Sequence, residues 1–198
     1  MAETKTTKKI IKKKFLDVPI PLTATKVKLY VANPEELNNK IVKIDMTKSL
    51  KGKNVELKAK VNYQEGKTEA ELISLVLLPS YTRRVMRRGI DYVEDSFTTS
   101  CKDAELLVKP FMITRNHVSR NVRKEIRNTA RKFLESYARI KSSRELFSEI
   151  MTNKLQKLVS MKVKKVYPLA LCEIRWIEII GPAKANPKEE SNNESKKE

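Results

Sequence analysis

Two cysteines, Cys101 and Cys172, and one histidine, His117, are the only thiol and imidazole groups in a chain of 198 residues. That supply excludes a disulfide framework, and with no CxxC pair it leaves no ordinary zinc site, so no metal or other cofactor is expected. The two thiols, without an activating neighbour in sequence, read as core groups of a protein from the reducing cell interior. Long apolar runs are missing as well. The longest, at 75–78 and 177–180, fall far short of the roughly 18 residues needed to cross a bilayer. The opening MAETKTTKKIIKKKF lacks the apolar stretch and small-residue cleavage site of a secretory leader. Its lysines and acidic Glu3 also make it a poor organelle presequence. Nowhere is there a P-loop, a GxGxxG or a GxSxG.

Acidic residues are scarce relative to basic ones: 24 Asp and Glu against 42 Lys and Arg, a net charge of +18. Residues 1–14 carry six lysines (Lys5, Lys8, Lys9, Lys12, Lys13, Lys14) against Glu3, with no periodicity that could close a core, and read as a mobile basic arm of +5. From residue 182 onward four lysines balance four glutamates among Asn, Ser and Pro, the composition of a disordered polar tail. Thus +13 lies on residues 15–181, which read as a single domain. A body so basic repels itself, and a polyanion whose phosphates neutralise the surface with release of counterions relieves that repulsion.

Hydropathy supplies the fold class. Residues 41–46 and 55–63 alternate apolar and polar, with Val55, Leu57, Ala59, Val61 and Tyr63 on one side, and 68–78 follows beyond Gly66 as a more buried strand. Residues 90–99 and 106–113 add two more in an antiparallel meander that could curl into a barrel or pack under helices. The period then changes to that of a helix over 117–140. A second helix starts at Ser142 or Ser143, where Ser142 and Glu145 have capping-box spacing, and runs through Met161. Residues 169–180 form a last strand after Pro168. Strands, two amphipathic helices and a strand make an α+β chain.

The first helix carries the clearest functional pattern. At about 100° per residue, Arg123, Lys124, Arg127 and Arg131 fall within roughly 60° of Arg120, opposite Val118, Val122, Ile126, Phe133, Tyr137 and Ile140. Arginine at such spacing suits a phosphate backbone, because its planar fork takes phosphate oxygens in pairs. A second cluster, Arg83, Arg84, Arg87 and Arg88, concentrates four like charges in six residues, a cost that phosphates between them would remove. Aromatics make up 6% of the chain, and Tyr81, Tyr92, Phe97, Phe111 and Trp176 are not grouped like a base-stacking platform. Trp176 is expected in the core. Recognition of folded RNA by shape and backbone is therefore expected, without paired aromatics on a sheet. Catalysis finds little support: His117 reads as a phosphate contact or surface residue. Asp91, Glu94 and Asp95 could hold Mg²⁺ in a nuclease or RNA-modifying enzyme, but pairing with Arg87 or Arg88 is the plainer expectation. A peripheral membrane anchor at 8–14 would explain only the arm.

The strings Val108-Lys109-Pro110 with Thr114-Arg115, then Ser119 with Lys124, Ile126 and Arg127, then Val166-Tyr167-Pro168-Leu169 with Glu173-Ile174-Arg175 and Ile177-Glu178 resemble the ribosomal protein S3Ae (eS1) family, in its short archaeal form. The likeness spans 41–180. It implies a non-enzymatic, cytoplasmic constituent of the small ribosomal subunit, with a β-barrel-like core and packed helices on the platform near the mRNA exit. The implied partners are small-subunit rRNA and neighbouring platform proteins, with mRNA and initiation factors as further candidates and no membrane. RNA contact is implied for Arg84, Arg87, Arg88, Lys109, Arg115, Arg120, Arg123, Lys124 and Arg127. Arg83, Arg131, Lys12, Lys13 and Lys14 join them on charge alone. The chain departs from the family where Arg88 is followed at once by Gly89-Ile90 and where Leu169-Ala170-Leu171 replaces a basic pair.

Overall fold

The computed structural model describes residues 13–182 apart from 21, 24, 51, 65 and 66. The arm up to Lys12 and the tail beyond Pro182 lie outside the described residues. The α+β class holds, and the chain gathers into two compact units.

The first unit takes in residues up to 43 together with 59–71. Its distinctive part, unread in the sequence, is an antiparallel ribbon of β1 (Lys14–Pro19) and β2 (Lys26–Val31). The register pairs Phe15 with Tyr30, Leu16 with Leu29 and Val18 with Val27. Alternation along each strand buries Val18 and Val31 on one face and leaves Phe15, Asp17, Lys28 and Tyr30 exposed on the other. A 3-10 turn, Pro34–Leu37, buries Leu37 and leads into β3 (Ile41–Asp45).

The second unit comprises 44–58 and 72 onward. The larger sheet of the chain has the strand order β3-β4-β5-β9-β8-β6, with β4 (Val55–Gln64), β5 (Lys67–Leu77), β6 (Tyr92–Glu94), β8 (Ala104–Thr114) and β9 (Leu169–Pro182). A further strand, β7 (Phe97–Ser100), also pairs with β8. The expected alternation is present in β4, where Val55, Leu57, Ala59 and Val61 are buried. The single strand expected over 90–99 is instead two short ones, and Pro110 is the reason. Lacking an N–H, it interrupts the outer ladder of β8, so β7 pairs with 105–108 and β6 with 111–113. On its other edge β8 meets β9 with Lys109 opposite Trp176 but Pro110 opposite Ile174, so Arg175 is the extra residue of a bulge. The bulge breaks the alternation expected of this strand: Glu173 and Ile174 are both buried.

A short helix, α1 (Pro79–Val85), opens on Pro79 at its first position. The long helix α2 (Arg120–Ile140) begins three residues later than expected, just after its cap Ser119, whose Oγ accepts from Val122 N. The expected second helix is two, α3 (Ser143–Met151) and α4 (Lys154–Val163). Ser142 caps α3 from Glu145 N–H as its spacing predicts. Asn153, in the left-handed region at φ 59°, ends the pair's continuity, a conformation asparagine tolerates better than most residues. Its Oδ1 accepts from Lys53 Nζ at 2.6 Å, and the same ammonium binds the buried carboxylate of Glu173. Tyr137 of α2 donates to buried Glu149 of α3 at 2.7 Å, and burial together with that bond pushes its hydroxyl up to about 12.

Candidate nucleic-acid interface

The most buried stripe of α2 is shifted from the one the large apolar residues mark: of that set Ile126 is buried, while Val118, Val122, Phe133 and Tyr137 are half-buried. Ile126, Ala130, Leu134 and Ala138 are buried, a row four residues apart that slants across the helix toward its arginines. Ile140, expected inside, is 67% exposed. Two alanines with no bulk to signal their role let the helix sit on this row. Arg123 and Arg127 therefore flank the docking stripe instead of opposing it. Arg123 is half-buried, with a buried Nε that has no hydrogen-bond partner among the described residues. Arg127 Nε donates to the Glu94 carbonyl at 3.2 Å. Arg131 lies 5.3 Å over the Phe97 ring and pairs with Glu135 at 2.8 Å. Arg120 and Lys124 are exposed at the amino end of the helix, with Arg115 exposed before it. The first turn contains no acid. Cations stand at the positive end of the helix dipole, an arrangement that disfavours the free helix and favours a bound anion.

The other predicted cluster begins on α1. Arg84 lies 5.3 Å over Tyr81 and donates from Nη2 to the Gly52 carbonyl at 2.8 Å. Arg83, Arg87 and Arg88 are exposed and have no carboxylate within 4.0 Å among the described residues. Lys109 is half-buried on β8 with Nζ 4.8 Å from the Trp176 ring centroid. Trp176 itself is half-exposed, which corrects its expected place in the core. It lines an open cleft of about 570 Å³ with Lys109, Pro110, Arg175 and the rim residues Glu94, Asp95 and Ser96, and Lys58 Nζ is 5.9 Å from its ring. The bulge at Arg175 turns consecutive side chains outward here, which simple alternation could not show.

Lys13 and Lys14 are exposed, Lys14 within β1, while Lys12 lies outside the described residues. Next to them the structure forms an aromatic pair on a sheet that the sequence reading did not expect. Phe15 and Tyr30 stand side by side with centroids 4.8 Å apart. The lysines of α4 and its end, Lys154, Lys157, Lys162, Lys164 and Lys165, are exposed as well, a cluster without the arginine spacing that marks α2 in the sequence.

The acidic trio turns to three different tasks, and Arg87 and Arg88 take part in none. Asp91 accepts from the Val118 N–H at 2.9 Å and faces His117 Nδ1 at 3.1 Å. These bonds, the Val118 N–H foremost, hold its carboxyl below the usual carboxylate range, with Arg123 adding to the effect. Glu94 pairs with Arg175 at 3.0 Å, and Asp95 accepts from its neighbour's N–H at Ser96. No group of three metal-ligating side chains forms among the described residues. His117 serves Asp91, a role not weighed from sequence. Cys101 is buried, and desolvation with Glu173 nearby pushes the Cys172 thiol up to about 12, so neither is poised as a nucleophile. Among the described residues no helix is long and apolar enough to cross a membrane.

The family model described as the Ribosomal S3Ae family matches residues 1–182. A small ribosomal subunit protein eS1 of Nanoarchaeum equitans is 26% identical over 147 residues, covering 72% of this chain and 74% of the relative. One of the same name from Methanothrix thermoacetophila is 27% identical over 156 residues, covering 76% and 74%.

Proposed function

The chain belongs to the ribosomal S3Ae family, structural constituents of the small ribosomal subunit and not enzymes, and from that premise we propose that it binds small-subunit rRNA through phosphate contacts on the platform near the mRNA exit. Its working place is the ribosome, in the cytoplasm. The observation that carries the phosphate reading is the amino end of α2, where Arg115, Arg120 and Lys124 are exposed around a first turn without a single acid. Helix dipole and side-chain charge act there in the same direction, toward an anion. The exposed Arg83, Arg87 and Arg88 beside α1 support the same reading. Arg84, Arg123, Arg127 and Arg131 have part of each guanidinium against the protein and offer the rest in a fixed direction. Lys109, Lys13 and Lys14 complete the proposed contact set, with Lys12 added from the arm.

In this reading residues 15–181 act as one rRNA-binding body, and the segments 1–14 and 182–198 are its basic arm and neutral tail. Platform ribosomal proteins are its neighbours, with mRNA and initiation factors as passing contacts. Two measurements test this. Sucrose-gradient sedimentation of native lysate should show the protein one-to-one with small subunits through a high-salt wash; finding it free at the top overturns the ribosomal reading. Binding of purified protein to small-subunit rRNA should weaken steeply with salt, at about 0.7 to 0.9 in log K per phosphate neutralised for each unit of log salt. Replacing Arg83, Arg87 and Arg88 together by Ala should flatten that slope by about 2 to 3 while thermal stability holds. An unchanged slope removes this cluster from the RNA surface.

A further inference from the structure

The β1–β2 ribbon displays what a strand built only for stability would hide. Phe15 is 69% and Tyr30 57% exposed, although Leu16, Val18, Leu29 and Val31 on the other face supply apolar packing. The two rings are paired across the ladder, 4.8 Å between centroids and tilted by 40°, and both remain largely exposed beside each other. Cations share their face. Lys13 Nζ lies 5.7 Å from the Tyr30 centroid, and Lys26 and Lys28 are exposed at positions on the same side of the ribbon, with Asp17 the only acid from 13 to 31.

We infer that this face is a stacking site for an unpaired base of single-stranded RNA, with the lysines taking the flanking phosphates. The inference rests on the RNA-binding reading above and adds a second mode to it. Three properties of the patch select this occupant. Aromatic rings beside flexible ammonium groups match a base beside its phosphates, and stacking accepts any base because every base has a π face. A duplex keeps its base faces inside the stack, so paired RNA cannot use the rings. A protein partner docking by apolar contact would need a broader patch, whereas the ribbon's aliphatic side chains point to the opposite face and leave the two rings with Lys13, Lys26, Lys28 and Asp17, a net charge of +2.

The test uses the full chain and two 12-nucleotide uridine RNAs, one with a central 2-aminopurine and one with an abasic sugar at that position. Both present the same phosphates. The wild type should quench the 2-aminopurine and bind its RNA about tenfold more tightly than the abasic one, within the range for one base on an aromatic side chain. The double variant Phe15→Leu with Tyr30→Leu should lose the quenching and that preference while binding abasic RNA as before. Tyr30→Phe, which keeps the ring, should retain both, and this holds the test open if the double variant folds poorly. Quenching that survives in the double variant and disappears in Trp176→Leu would place stacking in the other cleft and overturn the proposal. Equal weakening toward both RNAs would reduce the ribbon to a charge contact and also overturn it. So would self-association of the wild type that the double variant abolishes, which makes the pair a protein interface. Wild type that binds neither RNA at low salt refutes the RNA-binding reading itself, a result distinct from binding both equally without quenching.

Discussion

In the second unit Arg84, Arg127, Arg131 and Arg175 each give part of the guanidinium to a protein oxygen, at Gly52, Glu94, Glu135 and the Glu94 carboxylate respectively. On the ribbon of the first unit, Lys13, Lys14, Lys26 and Lys28 have no carboxylate within 4.0 Å among the described residues, and Lys13 lies over the exposed Tyr30 ring. Like charge is thus presented in unlike ways. A tethered arginine loses less freedom when it meets a phosphate and holds its remaining donors in one geometry, which suits the fixed spacing of folded RNA. An untethered lysine adapts to whatever strand arrives. The second unit also invests in buried polar pairs, Lys53 with Glu173 and Tyr137 with Glu149, that fix the helices and strands bearing those arginines.

The largest effect should come from breaking that fixation. Glu173 is 6% exposed, and Lys53 is its cationic partner. Lys53→Met leaves a buried carboxylate uncompensated, and we expect a loss of about 3 kcal/mol, near the lower end for such pairs because Lys53 retains some access to water. Denaturant unfolding checks it. Adding Glu173→Leu should recover much of the loss, since apolar replacement of both partners removes the stranded charge. A single variant as stable as the wild type would mean that the pair fixes nothing, and the contrast between the units would then rest on the arginines alone.

A middle-sized effect distinguishes the two faces of α2. Ala130 is fully buried, so Ala130→Leu should overpack the docking stripe at a cost of about 1 to 3 kcal/mol. Ile140→Ala, at the exposed end, should change stability by less than about 0.5 kcal/mol. The reverse order in thermal melts would restore the face marked by the large apolar residues.

Why that face misled is physical. Periodicity located the helix and its cap, but counting bulky residues weighs Phe133 and Ile140 above Ala130 and Ala138, and only packing shows that small residues let the helix approach. The strands of clean alternation, β4 above all, were legible because each has one buried face. Elements whose form depends on a distant partner were not. The split of β6 from β7 depends on Pro110 across the ladder, the break at Asn153 on a helix turn held by Lys53, and the outward turn of Trp176 on a bulge in β9. The ribbon escaped because Phe15 and Tyr30 are fifteen residues apart, and only the register makes them neighbours. The arginines themselves were plain in the sequence. Which ones are tethered was not, since carbonyl acceptors such as those of Gly52 and Glu94 leave no trace in composition.

The smallest effect concerns the anchor at the start of α2. Asp91 takes the Val118 N–H and faces His117, and its carboxyl is held below the ordinary value of 3.8. A carboxyl depressed in the folded state binds protons more weakly there than in the unfolded chain. The stabilisation is therefore complete above the ordinary value and fades as pH falls through the lower folded one. Asp91→Asn cannot follow that titration. The gap in melting temperature between wild type and Asp91→Asn should accordingly stay constant from neutral pH down to about 5 and narrow below about 4. A gap that is constant through pH 3 would mean that the charge of Asp91 is not what secures the segment. In that case the amino end of α2 would depend on its Ser119 cap, and its exposed cations would be less firmly aimed than the tethered arginines with which they are grouped here.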